Sequence, residues 1–574
     1  MKQGMFRIRT GEVTKPYERA LKRAERNEVA SRVMQRDASV LSSNTKVQAL
    51  IKNRLGWTDS ASAMKRTVRT IEQFGEKAIK DGIRHVVLMG MGGSSLCPEV
   101  FSLMFGNHRK LVSFDVLDST DPEAIRRVLR KIKLTKALGI VASKSGGTVE
   151  TRSQEAIFMQ ALTDAGVKQV GRHMVAITDP GSALEAFAKK NKYRKVFLNP
   201  TDIGGRYSAL SYFGLVPGYF GGVDLRALLD RAIDMQRLLI ERTGETNPAD
   251  VLGTLMASAA VHGRDKLTFL ASKQTAPFIP WLEQLIAEST GKKKKGVVPI
   301  DNEPALKSTQ YGSDRLFVDI RLANEKPAVS EALKRRLAQS GAPLVEIVLR
   351  DLDDLGGQFV LWEAATAVAG YHLRINPFDE PNVTESKDNT KELLSVYERD
   401  RELPIPEPIA TFGKLTLLAV GTERAYRKQD LKNLTALLKR FFTGMKPPEY
   451  VSLLGYFASD RNTEKEFEQL REKIAGRKRV ATIRGYGPRY LHSIGQLYKG
   501  GPELGRFIVF GRNSYGRLEI PGAPYDLGTL ISAQAQGDVA ALIKRGLPVL
   551  VIVVEGKPAE GIAQVSRAIG SALK

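Results

Sequence analysis

The stretch Val86–Leu96, VVLMGMGGSSL, decides the fold. It opens as an apolar, β-branched strand over Val86–Met91 and runs directly into two glycines and two serines. A helical stretch follows. Strand, glycine turn and helix together mark an α/β unit, whose parallel sheet binds ligands at the carboxyl ends of its strands. The glycines let the backbone approach a ligand and leave amides free at a helix start. The dinucleotide fingerprint is excluded, because Gly90 and Gly92 fit its spacing but Ser95 stands where the third glycine belongs. On this motif alone a plain tight turn serves equally well.

The same pattern continues on the C-terminal side. Val112–Val116, Leu138–Ala142, His173–Thr178 and Lys195–Leu198 are short apolar runs. Helical stretches such as Glu150–Ala165 and Gly181–Lys190 separate most of them, which predicts a parallel sheet with crossover helices. From about Asn247 a second α/β unit begins. Its strands are Leu267–Ser272, Phe317–Leu322 and Leu344–Leu349, and its helices Pro280–Ser289 and Gly356–Gly370. From about Leu431 this unit repeats: Phe269–Ile300 parallels Leu453–Ile483, and Asp354–Phe378 parallels Asp526–Ile552.

Composition narrows the class. A chain of 574 residues exceeds what one core supports, so two or three domains are expected. With 42% hydrophobic and 26% charged residues, the chain is not predominantly disordered. The single cysteine, Cys97, excludes an internal disulfide framework and a cysteine-built zinc site. The N-terminus lacks an apolar signal region and the longest apolar run, near Val549–Val554, is too short to span a bilayer. The expectation is a soluble cytoplasmic protein with no membrane partner.

The net charge of +24 raises nucleic acid as a partner. Met1–Thr70 holds sixteen Lys/Arg against six Asp/Glu, in a helix-favouring context over Tyr17–Met34. That segment lacks the aromatic interleaving a single-strand binder uses. It reads as a helix packed on the main body, and a basic protein equally suits phosphorylated metabolites.

Four further motifs carry chemistry. SKSGGTVET, Ser143–Thr151, lies between a strand and a helix and offers the hydroxyls of Ser143, Ser145 and Thr148. Hydroxyls at a helix start suit a phosphomonoester, although Ser/Thr capping with Glu150 nearby is the alternative. DIGGRYSALSYFGL, Asp202–Leu215, places Gly205 before Arg206, which could stabilise a developing oxyanion. Alone it reads more readily as a surface turn with a salt-bridged arginine. In EQLIAESTGKKKKG, Glu283–Gly296, Gln284 and Glu288 share one helix face. A partly buried glutamate there can work as a base, whereas most helical glutamates are solvated. The Lys292–Lys295 run reads as a solvated turn. In LHSIGQ, Leu491–Gln496, His492 is the one histidine of six set among Ser, Gly and Gln. It could shuttle protons near neutral pH, although a lone loop histidine is more often structural.

Taken in order, these motifs resemble the phosphoglucose isomerase family of SIS-type sugar-phosphate proteins. The likeness covers about Val86–Lys387. It is strongest to the isomerase half of fused transaldolase–phosphoglucose isomerases, through IKNRLGW (Ile51–Trp57) and GYGPRYLHSIGQLYKGGP (Gly485–Pro502). The resemblance implies an α/β fold of tandem SIS-type domains, each a parallel sheet flanked by helices in three layers. A third, partial SIS-like unit would follow. The expected divisions are 1–70, a basic helical segment; 71–240, a first SIS domain with the phosphate loop; 241–390, a second with the catalytic Glu and Lys; and 391–574, the repeat carrying His492.

The resemblance also implies roles. Gly92, Gly93 and Ser94 match the first glycine loop; Ser143, Ser145 and Thr148 match the phosphate loop. Gly147 stands where a further threonine is common. Gly205 and Arg206 match the signature that supports the enediolate. Gln284 and Glu288 match the catalytic helix, with Glu288 as base, and Lys387 in INPFDEPNVTESK matches the active-site lysine. The family's ring-opening histidine follows the glutamate by roughly twenty residues, yet LKSTQYGSDRLF (Leu306–Phe317) contains none. The family-like string appears instead at Leu491–Gln496, in the repeat. In dimeric relatives that histidine comes from the neighbouring subunit, so the repeat is expected to act as a stand-in neighbour. The implied reaction interconverts glucose and fructose 6-phosphates and requires no redox cofactor and no metal. A homodimer or a pseudo-dimeric monomer is expected, and a separately encoded transaldolase partner is conceivable. A non-catalytic sugar-phosphate sensor is the rival reading.

Overall fold

The computed structural model describes residues 6–382, 384–421 and 427–573, excluding the side chains of Ala419 and Val420. Three sheets organise them. The first runs Ser113–Leu117, His85–Gly90, Ala137–Ala142, Met174–Thr178, Lys195–Leu198 across the sheet, with every pairing parallel. Its three central strands are apolar on both faces and fully buried, as a parallel sheet with helices on each side requires.

The second sheet runs Leu344–Leu349, Arg315–Leu322, Lys266–Ala271, Val298–Ile300, again parallel. In the third, Val549–Val554, Gly505–Arg512, Tyr450–Gly455 and Ala481–Tyr486 repeat that order and direction. The correspondence of Phe269–Ile300 with Leu453–Ile483 therefore holds strand for strand. The second proposed correspondence does not. Helix Leu355–Leu373 follows the last strand of its sheet, whereas helix Leu527–Lys544 precedes the last strand of its own. By position, Leu527–Lys544 matches Glu331–Gln339, and Pro558–Ala572 matches Leu355–Leu373. The two Asp-Leu-Gly starts share a sequence rather than a place in the fold: Asp526 caps its helix at the Thr529 amide, whereas the Asp354 side chain makes no cap bond.

The basic N-terminal segment is bound to the body. Phe6–Arg9 extends the second sheet antiparallel to Leu344–Leu349, an edge strand not anticipated from the sequence. The stretch expected as one helix over Tyr17–Met34 is two, Thr14–Arg26 and Val29–Met34, separated at Glu28, whose φ is +50°. Tyr17, Leu21, Ala24, Val29 and Val33 turn inward and join a core continuous with both of the first two sheets.

The third unit closes back on the first two. One face of its sheet holds a separate core with helices Arg461–Lys478 and Pro558–Ala572. Leu527, Leu530 and Ala533 enter the core beneath the first sheet, while Leu497 and Tyr498 pack with Ala287, Val298 and Ile300 of the second unit. No helix among the described residues is long and apolar enough to cross a membrane.

Candidate active site

The glycine loop Gly92–Ser94 is a single tight turn after strand His85–Gly90. Gly92 has φ +55°, and a Cβ there would lie 2.7 Å from the His492 carbonyl oxygen and 2.8 Å from Gln284 Nε2. A Cβ on Gly93 would overlap the Gly205 carbonyl oxygen. These glycines therefore make room for three other parts of the chain. Ser94 lies at the turn's end, half-buried.

Helix Ile279–Thr290 brings the two expected residues together. Gln284 Nε2 lies 3.5 Å from Glu288 Oε2 and donates at 2.8 Å to the His492 carbonyl. One side chain thus ties the glutamate's helix to the histidine's loop. Burial pushes the Glu288 carboxyl up to about 8, against the opposing influence of Arg206.

His492 belongs to a turn, Arg489–His492, that follows strand Ala481–Tyr486. By topology this turn corresponds to the histidine-free stretch after strand Val298–Ile300. Its ring Nε2 lies 2.9 Å from Glu150 Oε1. Gln534 Nε2 donates to the same oxygen at 2.8 Å. Burial raises the Glu150 carboxyl, but His492, a backbone amide and the Lys387 charge together hold it below the usual carboxylate range. Arg489 anchors the turn to the first unit, donating to Glu99 and, at 2.7 Å, to Asp118. Ser493 donates to Glu283 at 3.1 Å. The turn is thereby fixed to both preceding units within one chain.

Arg206 is 4% exposed, which overturns the surface-turn alternative. Its Nε donates to Ser289 Oγ at 2.8 Å, Nη1 to Glu380 at 2.9 Å, and Nη2 to the Pro377 and Asp379 carbonyls at 2.8 and 3.0 Å. Nη1 also lies 3.5 Å from Glu288 Oε2. Burial works against the guanidinium charge, and Glu288 and Glu380 restore it. Gly205 begins the turn that delivers it.

The Lys292–Lys295 run is only partly a solvated turn. Lys293, Lys294 and Lys295 are exposed, but Lys292 is buried, with Nζ 2.6 Å from the Asn376 carbonyl and 2.9 Å from Asp379. Burial pushes its amine down to about 7. Lys292 and Arg206 together clamp residues 376–380. Beyond them, Lys387 lies on helix Thr384–Asp400 and is exposed; its charge favours ionisation of both Glu150 and Glu288.

The hydroxyl loop follows strand Ala137–Ala142. Ser143 is buried and its Oγ lies 3.0 Å from Thr148 Oγ1. Thr148 occupies the cap position of helix Val149–Asp164 but makes no side-chain cap bond, so the alternative of simple Thr148 capping is not realised. Ser145 is exposed, and the Gly147 amide approaches its Oγ at 3.4 Å. Lys144, missed in the sequence, turns its Nζ to Asp179 at 2.6 Å and the Thr201 carbonyl at 2.9 Å.

Comparison with known proteins decides the family. A family model described as phosphoglucose isomerase matches residues 6–313, more than half of the chain. The chain belongs to the phosphoglucose isomerase family. It is accordingly an enzyme of the aldose–ketose isomerase class. A glucose-6-phosphate isomerase of Thermus thermophilus is 30% identical over 390 residues, covering 59% of this chain and 90% of that one. One from Citrifermentans bemidjiense is 27% identical over 408 residues, covering 63% of this chain and 77% of that one. Among solved structures, a hypothetical protein of Thermus thermophilus superposes with a TM-score of 0.58 at 26% identity, covering 68% of this chain and all of that one. The Chlamydia trachomatis glucose-6-phosphate isomerase shares the fold, with a TM-score of 0.50 at 18% identity over 68% of this chain and 86% of that one. The phosphoglucose isomerase match ends before the third sheet, so His492 lies outside it.

Proposed function

We propose that the chain interconverts glucose 6-phosphate and fructose 6-phosphate through a cis-enediol, with all its catalytic groups drawn from one polypeptide. The observation that carries this is the Gln284 bridge, which joins the helix of Glu288 to the loop of His492 across the glycine turn. Ser143, Ser145 and Thr148, with the helix start behind them, suit the 6-phosphate. Gly92, Gly93, Ser94 and Gly205 form the surface on which the sugar lies.

His492, oriented by Glu150, assists ring opening together with Lys387. The ionised Glu288 carboxylate takes the C2 proton and returns it to C1. A carboxyl raised toward neutrality is a stronger base than an ordinary one, which suits this transfer. Arg206 has four of its five N–H groups engaged by protein, so it acts by its field and by holding residues 377–380, offsetting the enediolate charge at short range. Proton transfer and electrostatics are the whole of this chemistry. The third unit supplies the histidine that a neighbouring subunit would otherwise bring, which makes the single chain a pseudo-dimer; the cytoplasm is its expected place.

A coupled assay with fructose 6-phosphate tests this. Glu288→Gln is expected to lower kcat by about 10²–10⁴-fold while fructose 6-phosphate still binds by calorimetry. Retained turnover overturns the assignment.

A further inference from the structure

The third sheet has a half-covered face. Leu415, Ile508, Phe510, Leu550 and Ile552 point into the unit's own core, while Leu418, Val551 and Val553 on the opposite side are only half-buried. Helices Leu527–Lys544 and Thr384–Asp400 pack on one another, and a cavity of about 1150 Å³ lies between this pair and the strand residues Leu418, Val551 and Val553. It is distinct from the active site, since none of the residues assigned a catalytic or substrate-binding role lines it. Its volume exceeds the roughly 300–1,000 Å³ usual for small-molecule sites.

Three arginines line the cavity; Arg401 and Arg517 are exposed, and Arg517 pairs with Glu519, which leaves Arg512 as the half-buried cation that distinguishes it from an apolar gap. Arg512, at the carboxyl end of strand Gly505–Arg512, lines it. Its Nε is buried without a hydrogen-bond partner, and its guanidinium makes no ion pair among the described residues. The guanidinium carbon stands 6.0 Å from the Tyr515 ring centre. The lining carboxylates Glu392 and Glu402 lie on exposed residues at the rim, and Asp526 is committed to capping its helix at the Thr529 amide. An unpaired guanidinium with a buried Nε, beside an aromatic ring and an apolar floor, suits an anion attached to a flat apolar body. The site also lies at the carboxyl end of parallel strands, where such sheets take ligands.

We propose that this cavity is a second binding site, for a small organic anion with a planar apolar body, held by Arg512 and the Tyr515 wall. The test uses 1-anilinonaphthalene-8-sulfonate as the anionic probe and N-phenyl-1-naphthylamine as its uncharged counterpart, each titrated by fluorescence on the full chain. Arg512→Gln is expected to weaken the anionic probe about tenfold, Arg512→Lys to restore part of that loss, and neither to change uncharged-probe binding or isomerisation without probe. Val551→Trp, or Ala535→Trp if the first does not fold, is expected to abolish binding of both probes by filling the floor. Equal binding of the anion by wild type and Arg512→Gln overturns the proposal, as does undiminished binding in a folded cavity-filled variant. A cavity-filled variant that dissociates a dimer in light scattering identifies a second copy of the chain as the occupant, and also overturns it.

Discussion

The second and third sheets share one strand order, yet on the proposed function they carry opposite halves of one site. In the second, helix Ile279–Thr290 after the first strand presents Glu288, and the loop after Val298–Ile300 holds no histidine. In the third, the loop after Ala481–Tyr486 presents His492, and helix Arg461–Lys478 ends in ordinary basic residues. On this proposal each unit keeps the half that the other lacks. Two copies of one fold, packed against each other, can divide a site that neither completes.

That division can be broken from either side. The largest effect expected after loss of Glu288 is from His492→Ala, which should lower turnover of ring-closed substrate by about 10²-fold or more while phosphate binding persists. Near-normal turnover would mean that the third unit is a bystander. A smaller effect is expected from Glu150→Gln. It keeps the shape beside His492 but removes the negative charge that orients the ring, so kcat should fall about tenfold with little change in KM. An unchanged kcat would leave His492 acting without its partner.

The pH dependence sharpens the second unit's part. Glu288 must be ionised to accept a proton, and burial holds its carboxyl near 8. Below that value the free enzyme carries the inactive, protonated form, so kcat/KM should rise with pH and level off only around 8. A limb near the ordinary carboxylate value of 4.5 would show that Glu288 is not the titrating base.

Much of this organisation is legible in the sequence, for physical reasons. Buried parallel strands must be continuous apolar runs, so Val86–Met91 and Leu138–Ala142 declare themselves. Glycines at close backbone approaches, Gly92 and Gly93, do so as well. What stays hidden depends on distant partners. Phe6–Arg9 is four residues of ordinary polarity, and only the edge of the second sheet makes it a strand. Glu150 reads as a helix-start acid because its partner, His492, lies 342 residues away. Lys292 is one of four identical lysines, and only the turn geometry sends it inward to Asp379 while its neighbours face water. The misaligned pair of helices, Leu355–Leu373 and Leu527–Lys544, carries the same lesson: a shared helix start does not fix a place in a sheet.

The central claim is that His492 and Glu288 serve one site within one chain. Complementation tests it directly: Glu288→Gln and His492→Ala proteins are each purified, mixed, unfolded and refolded together, and assayed for isomerisation. A site completed within each chain gives no more activity than the two variants separately. Recovery of a substantial fraction of wild-type turnover would mean that the histidine crosses between chains, and would contradict the account.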